Sequence, residues 1–235
     1  MRRAIAGHDQ RVLLLGVTPE YADVGADVTA IDSSETMIAN VWPGDTARRR
    51  AFKGDWFAMP FERGSFSAAL GDGSFNTLPW PDGHRRVFDL LADMLRPGGR
   101  IVFRLFRTPD EAESVDAVLA AAMAKKIGNF HAFKWRLAMA LVAAAGNPNI
   151  PVASIRDAFN AAFPDREKLA AATGWPMAQI ETIDVYRGSP DSYSFPTSAE
   201  MQAAIPAAFT RAEFLPSGDY ELAERCPLVR ADLKS

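Results

Sequence analysis

The sequence has very few of the side chains that cross-link a chain or bind transition metals. It contains one cysteine, Cys226, and three histidines among its 235 residues. We therefore expect no disulfide framework, no metal site and a reducing compartment. A catalytic thiol is disfavoured because Pro227 follows Cys226 and no histidine lies nearby in the sequence to activate it.

Strong charge of one sign and long apolar runs are also lacking. The formal net charge is −3, and basic residues cluster tightly only at Arg48–Arg50 and His84–Arg86. We assign these two clusters to solvated helix faces rather than to phosphate contacts. No apolar run approaches the roughly 18 residues of a membrane span, and the N-terminus has no signal-peptide core. We therefore expect a cytoplasmic protein with neither nucleic acid nor a membrane as partner.

What the sequence does contain is a series of short apolar runs that end in glycine or an acid. The first, Val12–Leu15, ends at Gly16, and the second, Val28–Ile31, ends at Asp32. A buried strand, a glycine turn and an acid at the tip of the next parallel strand form a nucleotide-binding βαβ unit, in which the acid accepts ribose hydroxyls. A helix of about two turns, starting at Pro19, is expected between the two strands.

The spacing of the later runs predicts a doubly wound, mostly parallel α/β sheet. Three further strands are predicted at Ala51–Lys53, Phe66–Leu70 and Arg100–Phe106, and a closing hairpin at Ala212–Leu215 and Leu228–Leu233. One helix is predicted within 78–95, and the helix after Asp32 is expected to turn Met37, Ile38 and Val41 inward.

Between residues 108 and 194 the pattern changes to alanine-rich helices. Thr108-Pro109-Asp110-Glu111 has the form of a capping box and predicts a helix start at Thr108. Later helices are predicted at Phe130–Ala145, Ser154–Phe163, Arg166–Thr173, Met177–Arg187 and Ser198–Phe209. A strand through Ile183–Tyr186 is the alternative within the fourth of these segments.

Four motifs, in order along the chain, resemble those of the class I S-adenosylmethionine-dependent methyltransferases. They are the first glycine motif at Val12–Glu20, the ribose-binding acid at Val28–Met37, the adenine-binding segment at Gly54–Phe61, and the turn into the fifth strand at Leu95–Arg100. The glycine motif is a variant, since only Gly16 is kept and Thr18 and Glu20 stand at the later glycine positions.

The resemblance implies a Rossmann-like domain with a seven-stranded sheet, built from residues 1–107 and 195–235, and a helical insertion at 108–194 that covers the substrate. Because only about ten residues precede the first strand, we expect this insertion to do the work of an N-terminal covering helix. The implied activity is transfer of the sulfonium methyl group of S-adenosyl-L-methionine to a small-molecule acceptor by in-line displacement, with S-adenosyl-L-homocysteine as product.

The resemblance also assigns residues to the site. Cofactor contacts are expected from Gly16, Thr18, Asp32, Ser33, Met37, Asp55, Trp56, Gly71, Asp72 and Gly73. Backbone N–H groups at the start of the first helix, with the Thr18 hydroxyl, are expected to receive the methionine carboxylate. If the acceptor arrives protonated, the candidate bases are Asp72 and His131. Candidate acceptor contacts are Phe133, Trp135, Tyr186 and Tyr193, which would equally serve as core of the insertion.

Two other interpretations stay open at this point. A nicotinamide-dependent oxidoreductase shares the opening βαβ unit, although the variant glycine motif lacks the glycines that a pyrophosphate requires. A non-catalytic binding module with the same fold is the second alternative. Whether two chains form a homodimer is also left open by the sequence.

Overall fold

The computed structural model describes all residues of the chain, 1–235. The strands are β1 (Arg11–Leu15), β2 (Asp27–Asp32), β3 (Arg49–Lys53), β4 (Phe66–Asp72), β5 (Leu95–Arg104), β6 (Asn149–Pro151), β7 (Ser192–Ser194), β8 (Glu213–Leu215) and β9 (Leu228–Asp232). Seven of them form one sheet in the order β3-β2-β1-β4-β5-β9-β8, while β6 and β7 pair separately. The pairs from β3 to β5 are parallel, and β9 pairs antiparallel with both neighbours. The predicted mostly parallel sheet and its closing hairpin are confirmed.

Eight α-helices connect or cover these strands. They are α1 (Glu35–Val41), α2 (Asp82–Met94), α3 (Val115–Met123), α4 (Phe130–Ala145), α5 (Val152–Ala162), α6 (Arg166–Thr173), α7 (Met177–Glu181) and α8 (Ser198–Ala204). Short 3₁₀ turns lie at Arg2–Ile5, Pro19–Tyr21, Ser74–Thr77, Thr182–Tyr186 and Ala223–Arg225. The bounds of α4 and α6 are those that the sequence predicts.

The apolar side chains pack into three clusters. Alternate residues of β1 divide between two of them, with Leu13 and Leu15 facing α2 and α8, and Val12 and Leu14 facing the other side of the sheet. This alternation follows from the two-residue period of a strand. The third cluster lies within the helices after residue 108 and is joined by Leu222 and Cys226. The helical segment therefore has an apolar core of its own.

The predicted helix between β1 and β2 is wrong. Only a 3₁₀ turn, Pro19–Tyr21, forms there. The chain has little room, because Gly25 passes so close to β1 that an added Cβ would lie 2.7 Å from Cγ2 of Val12. Residues 17–26 instead cover the sheet directly, with Val17, Ala22 and Val24 buried in its core.

The helix start at Thr108 is also wrong. Thr108 is buried, its hydroxyl donates to the carbonyl of Phe195 at 2.8 Å, and no helix starts at this residue. Helix α3 begins seven residues later, where the Ser114 hydroxyl accepts from the backbone N–H of Ala117 at 3.1 Å. A serine cap of this kind satisfies one of the N–H groups that the first helical turn leaves free.

Three further differences lie in local structure. The predicted helix Met177–Arg187 ends at Glu181 and continues as a 3₁₀ turn, and the predicted helix after Ser198 ends at Ala204, before Pro206. The pair β6–β7 was not predicted.

The basic clusters differ from the prediction as well. Arg49 and Arg50 lie on strand β3 rather than on a helix. His84 is fully buried between the rings of Phe75 and Trp80, and burial lowers its pKa to about 4. The assignment of this histidine to a solvated helix face is wrong, because aromatic rings enclose it.

Candidate functional site

The tips of β1 and β2 bring a glycine backbone against a carboxylate. Gly16 adopts φ +96°, a conformation that favours glycine, and its N–H donates to the Ile31 carbonyl at 2.8 Å. A Cβ added at Gly16 would lie 3.8 Å from Oδ2 of Asp32. The two residues that the first βαβ unit singles out therefore face each other across neighbouring strand tips.

The Asp32 carboxylate has one oxygen engaged and one free. Oδ1 accepts from the backbone N–H of Ser34 at 2.8 Å, which turns the chain into α1. The Ser34 hydroxyl then caps that helix by accepting from Met37 N–H at 3.2 Å. Oδ2 has no hydrogen-bond partner within the protein, so Asp32 shapes the turn and also offers an acceptor to a ligand.

The segment after β3 holds an indole beside the same strand tip. Trp56 Nε1 donates to the Ile31 carbonyl at 2.8 Å, which fixes the ring against β2. Asp55 lies at the surface, and its Oδ1 accepts from Phe57 N–H at 2.8 Å. Gly54 allows this approach, since a Cβ there would lie 2.8 Å from Cδ1 of Ile31.

A cleft of about 640 Å³ opens over these residues. Its sheet side includes Asp32, Ser33, Ser34, Met37, Asp55, Trp56, Phe57, Thr77 and Leu78, and its other side includes Val152, Val185, Tyr186, Ser189, Asp191, Ser192 and Tyr193. The side chain of Met37, expected to turn inward, is 44% exposed and lies in this cleft instead. Acids and an indole on one side thus face tyrosines on the other.

The tip of β4 is occupied by an ion pair. Asp72 Oδ1 accepts from Arg104 Nε at 2.6 Å, and Arg104 also donates to the Tyr220 hydroxyl at 3.2 Å. Burial and the charge of Asp72 raise the pKa of Tyr21 to about 12. The loop that follows is tight, since a Cβ at Gly71 would lie 2.1 Å from the Ser74 hydroxyl oxygen.

The structure thus brings together some of the predicted cofactor contacts and separates others. Asp32, Ser33, Met37, Asp55 and Trp56 line the cleft. The cleft lining does not include Thr18, Gly71, Asp72 or Gly73, and Gly16 adjoins it only through Asp32. Thr18 makes no capping bond, and the predicted anion site at a helix N-terminus is wrong because that helix is not formed.

The predicted acceptor contacts and bases divide in the same way. Tyr186 and Tyr193 line the cleft, and Trp135 packs on Tyr193 with ring centroids 5.5 Å apart. Phe133 is fully buried in the core of the insertion. His131 is exposed near the start of α4 and lies outside the cleft lining, where burial and the charge of Lys134 lower its pKa.

One residue that the sequence reasoning missed connects the two sides of the cleft. Asn76 is buried, and its amide donates to the carbonyls of Phe106 and Ser194, both at 2.6 Å. Its oxygen accepts from Phe106 N–H at 3.0 Å. The signal in the sequence was a polar, glycine-containing segment after a buried strand, which did not reveal these partners.

Two properties of the structure concern metal binding and membrane insertion. No group of three or more His, Cys, Asp or Glu side chains is arranged to hold a metal ion. None of the helices combines the length and the apolar character that crossing a membrane requires.

One part of the chain matches a known protein family. Residues 16–103 match the family model described as a methyltransferase domain. No curated protein matches the chain.

Three solved structures illustrate the shared fold. An S-adenosylmethionine-dependent methyltransferase from Mesorhizobium loti has a TM-score of 0.53 at 15% identity, with 98% of this chain and 95% of that chain covered. The N-methyltransferase NodS from Bradyrhizobium japonicum, solved with S-adenosyl-L-homocysteine, has a TM-score of 0.51 at 14% identity, covering 100% and 83%. A protein from Rhodobacter sphaeroides titled a putative zinc-dependent alcohol dehydrogenase has a TM-score of 0.59 at 13% identity, covering 97% and 86%.

At these identities the three structures show the fold and nothing more. The family match begins at Gly16 and spans the acid at the tip of β2, the segment after β3 and the turn into β5, which are the positions of the motifs that resemble this family in the sequence. Residues 16–103 therefore match a methyltransferase domain, and the chain as a whole has the fold of S-adenosylmethionine-dependent methyltransferases.

Proposed function

We propose that this chain transfers the methyl group of S-adenosylmethionine to a small-molecule acceptor bound between the strand tips and the helices of residues 108–194. The observation that carries the proposal is the composition of the cleft, where Asp32, Asp55 and Trp56 face Tyr186 and Tyr193. Its volume of about 640 Å³ falls in the usual range of small-molecule sites. Polar acceptors on one side suit a nucleoside, and aromatic rings on the other suit an organic acceptor.

The residues at the strand tips fit the cofactor. The free Oδ2 of Asp32 is an unused acceptor for ribose hydroxyls, and the absence of a side chain at Gly16 keeps the space beside it open. Trp56 is held by its bond to Ile31, which leaves its ring face for a purine, and the Asp55 carboxylate can accept from an exocyclic amine. These residues would hold the adenosyl part, with Ser33 and Met37 beside it.

The protein's contribution to this reaction is positioning. The cofactor supplies an activated methyl group, and attack by the acceptor removes the positive charge on sulfur. Holding the acceptor in line and excluding water from the cleft lowers the barrier without a metal or a nucleophilic side chain. We propose that the insertion at 108–194 provides this cover over a domain formed by 1–107 and 195–235.

The roles of Asp72 and His131 as proton acceptors remain predictions. The contact of Asp72 with Arg104 favours a role in fixing the tips of β4 and β5, since its carboxylate accepts a charged hydrogen bond there. His131 lies outside the cleft lining. We propose that positioning is the main source of rate and that a proton lost by the acceptor passes to a solvent water molecule at the mouth of the cleft.

Calorimetry with S-adenosyl-L-homocysteine, with NAD as the competing ligand, tests the proposal. We expect S-adenosyl-L-homocysteine to bind and NAD not to bind. Asp32→Asn keeps the acceptor for Ser34 N–H but removes the charge, so it should weaken S-adenosyl-L-homocysteine binding about tenfold or more. Asp89→Asn, an exposed change on α2, is the matched control and should leave the affinity unchanged.

The opposite outcomes distinguish the alternatives. Binding of NAD alone would support the oxidoreductase, and binding of neither ligand would support a non-catalytic module. Transfer of a radiolabelled methyl group to a panel of small molecules then tests the activity itself, and transfer only to a protein or nucleic acid would overturn the proposed acceptor class.

A further inference from the structure

Lys134 is a buried cation without an anionic partner. It lies in α4 with only 9% of its surface exposed. No carboxylate oxygen lies within ion-pair distance of Nζ, and burial lowers the pKa of its side chain to about 8. A buried ammonium group that lacks a counter-charge is costly, so a side chain of this kind needs a physical reason to be retained.

Lys134 instead contacts two aromatic rings. Nζ lies 4.8 Å from the ring centroid of Trp135 and 5.1 Å from that of Tyr186. Attraction to ring faces offsets part of the cost of burial but does not neutralise the charge. The positive charge therefore remains. Lys134 and Trp135 are not part of the cleft lining, but Nζ adjoins the cleft through the Tyr186 ring and is not among the fully enclosed polar atoms.

These rings belong to a continuous surface that reaches the cleft. Tyr193 packs against Trp135 at 5.5 Å and against Tyr186 at 5.9 Å, and both tyrosines line the cleft. We call Trp135, Tyr186 and Tyr193 the aromatic wall. Phe106, which packs on Trp135 at 4.9 Å, extends this surface to the loop after β4, because it lies against Gly73.

The charged groups around α4 do not supply the missing partner. Glu113, the acid that approaches this helix, is already paired with Arg136 and Arg225. His131 is the ionisable neighbour on the same helix, and it is not an anion. The groups that contact Nζ are the rings of Trp135 and Tyr186.

We propose that Lys134 binds an anionic group of the methyl acceptor, such as a carboxylate, while a flat apolar part of that acceptor packs on the aromatic wall. This assignment rests on the proposed function and names the substrate class of the same cleft. A bound carboxylate would supply the negative charge that Lys134 lacks within the protein, and the rings would supply apolar contact area. A neutral acceptor would leave the ammonium without a partner.

The test uses matched acid and amide pairs on the intact protein saturated with S-adenosyl-L-homocysteine. The probes are 4-hydroxybenzoate, 4-hydroxycinnamate and indole-3-acetate, each beside its primary amide, with affinities measured by calorimetry. We expect at least one acid to bind about ten- to a hundredfold more tightly than its amide. Lys134→Met should reduce that acid to the level of its amide, and Lys134→Arg should keep most of the preference.

Lys126→Met, at an exposed lysine after α3, is the control and should leave the preference unchanged. The inference is overturned if no acid binds more tightly than its amide, or if Lys134→Met keeps the preference. Binding of S-adenosyl-L-homocysteine, measured on the same samples before the probes are added, reports on folding and on the proposed function. Failure of the acid preference with that binding intact removes only the inference about Lys134.

Discussion

The two sides of the cleft are built in different ways. On the sheet side, Gly16, Asp32 and Asp55 each follow a parallel strand, so the topology alone delivers them to one edge. On the other side, Trp135, Tyr186 and Tyr193 come from distant parts of the insertion and meet only through tertiary packing. Most of the apolar core of the insertion comes from its own helices, so these positions depend on how those helices pack. The fold therefore fixes the positions of the residues proposed to hold a nucleoside, whereas helix packing determines which side chains lie opposite them.

The largest expected effect comes from breaking the connection between the two sides. Asn76→Ala removes the hydrogen bonds to Phe106 and Ser194 and leaves buried backbone groups without partners. We expect the free energy of unfolding to fall by about 4 kcal/mol, measured by urea denaturation. Asn40→Ala, at an exposed position in α1, should change it by less than about 0.5 kcal/mol. Equal effects of the two substitutions would show that the sides are not coupled through Asn76.

A smaller effect on stability is expected from the buried charge of Lys134 in the insertion. Burial lowers the pKa of Lys134 to about 8, whereas an unperturbed lysine has a pKa of about 10.4. Between pH 8 and pH 10.4 the unfolded chain therefore binds more protons than the folded protein. Wild-type stability therefore rises across this window relative to Lys134→Met. We expect the substitution to raise the free energy of unfolding by about 3 kcal/mol at pH 7 and by almost nothing at pH 10.5.

Urea denaturation of wild type and Lys134→Met at both pH values measures this difference, and tyrosine titration cancels because it is common to both proteins. Lys126→Met should show no such pH dependence. A gain from Lys134→Met that is the same at pH 7 and pH 10.5 would contradict the buried-charge explanation.

The smallest expected effect tests the sheet side. Gly71→Ala places a Cβ 2.1 Å from the Ser74 hydroxyl oxygen, which has no hydrogen-bond partner and has to move. We expect a loss of about 1 kcal/mol in the free energy of unfolding. The double variant Gly71→Ala/Ser74→Ala should recover most of it, since Cβ of Ser74 is 3.4 Å away. A purely additive double-mutant cycle would show that the strain lies elsewhere.

The sequence was informative where local pattern determines structure. Glycine and acid at successive strand ends predicted that Gly16 and Asp32 stand at neighbouring strand tips, and apolar periodicity with a C-terminal glycine predicted the bounds of α4. It failed at Pro19–Tyr21 and Thr108, where long-range packing overrides a local signal. The partners of Asn76 and the charge state of Lys134 depend on residues far away in the chain, so no local pattern could reveal them.

Strand β7 has a consequence for how molecules enter and leave. Its middle residue, Tyr193, lines the cleft, while the carbonyl of its last residue, Ser194, is anchored to Asn76. This end of the strand cannot swing outward without breaking that anchor. The neighbouring stretch 185–191 contributes Val185, which is 74% exposed, to the same side of the cleft and is not held by Asn76. Opening of the cleft on this side therefore has to occur without displacement of Ser194.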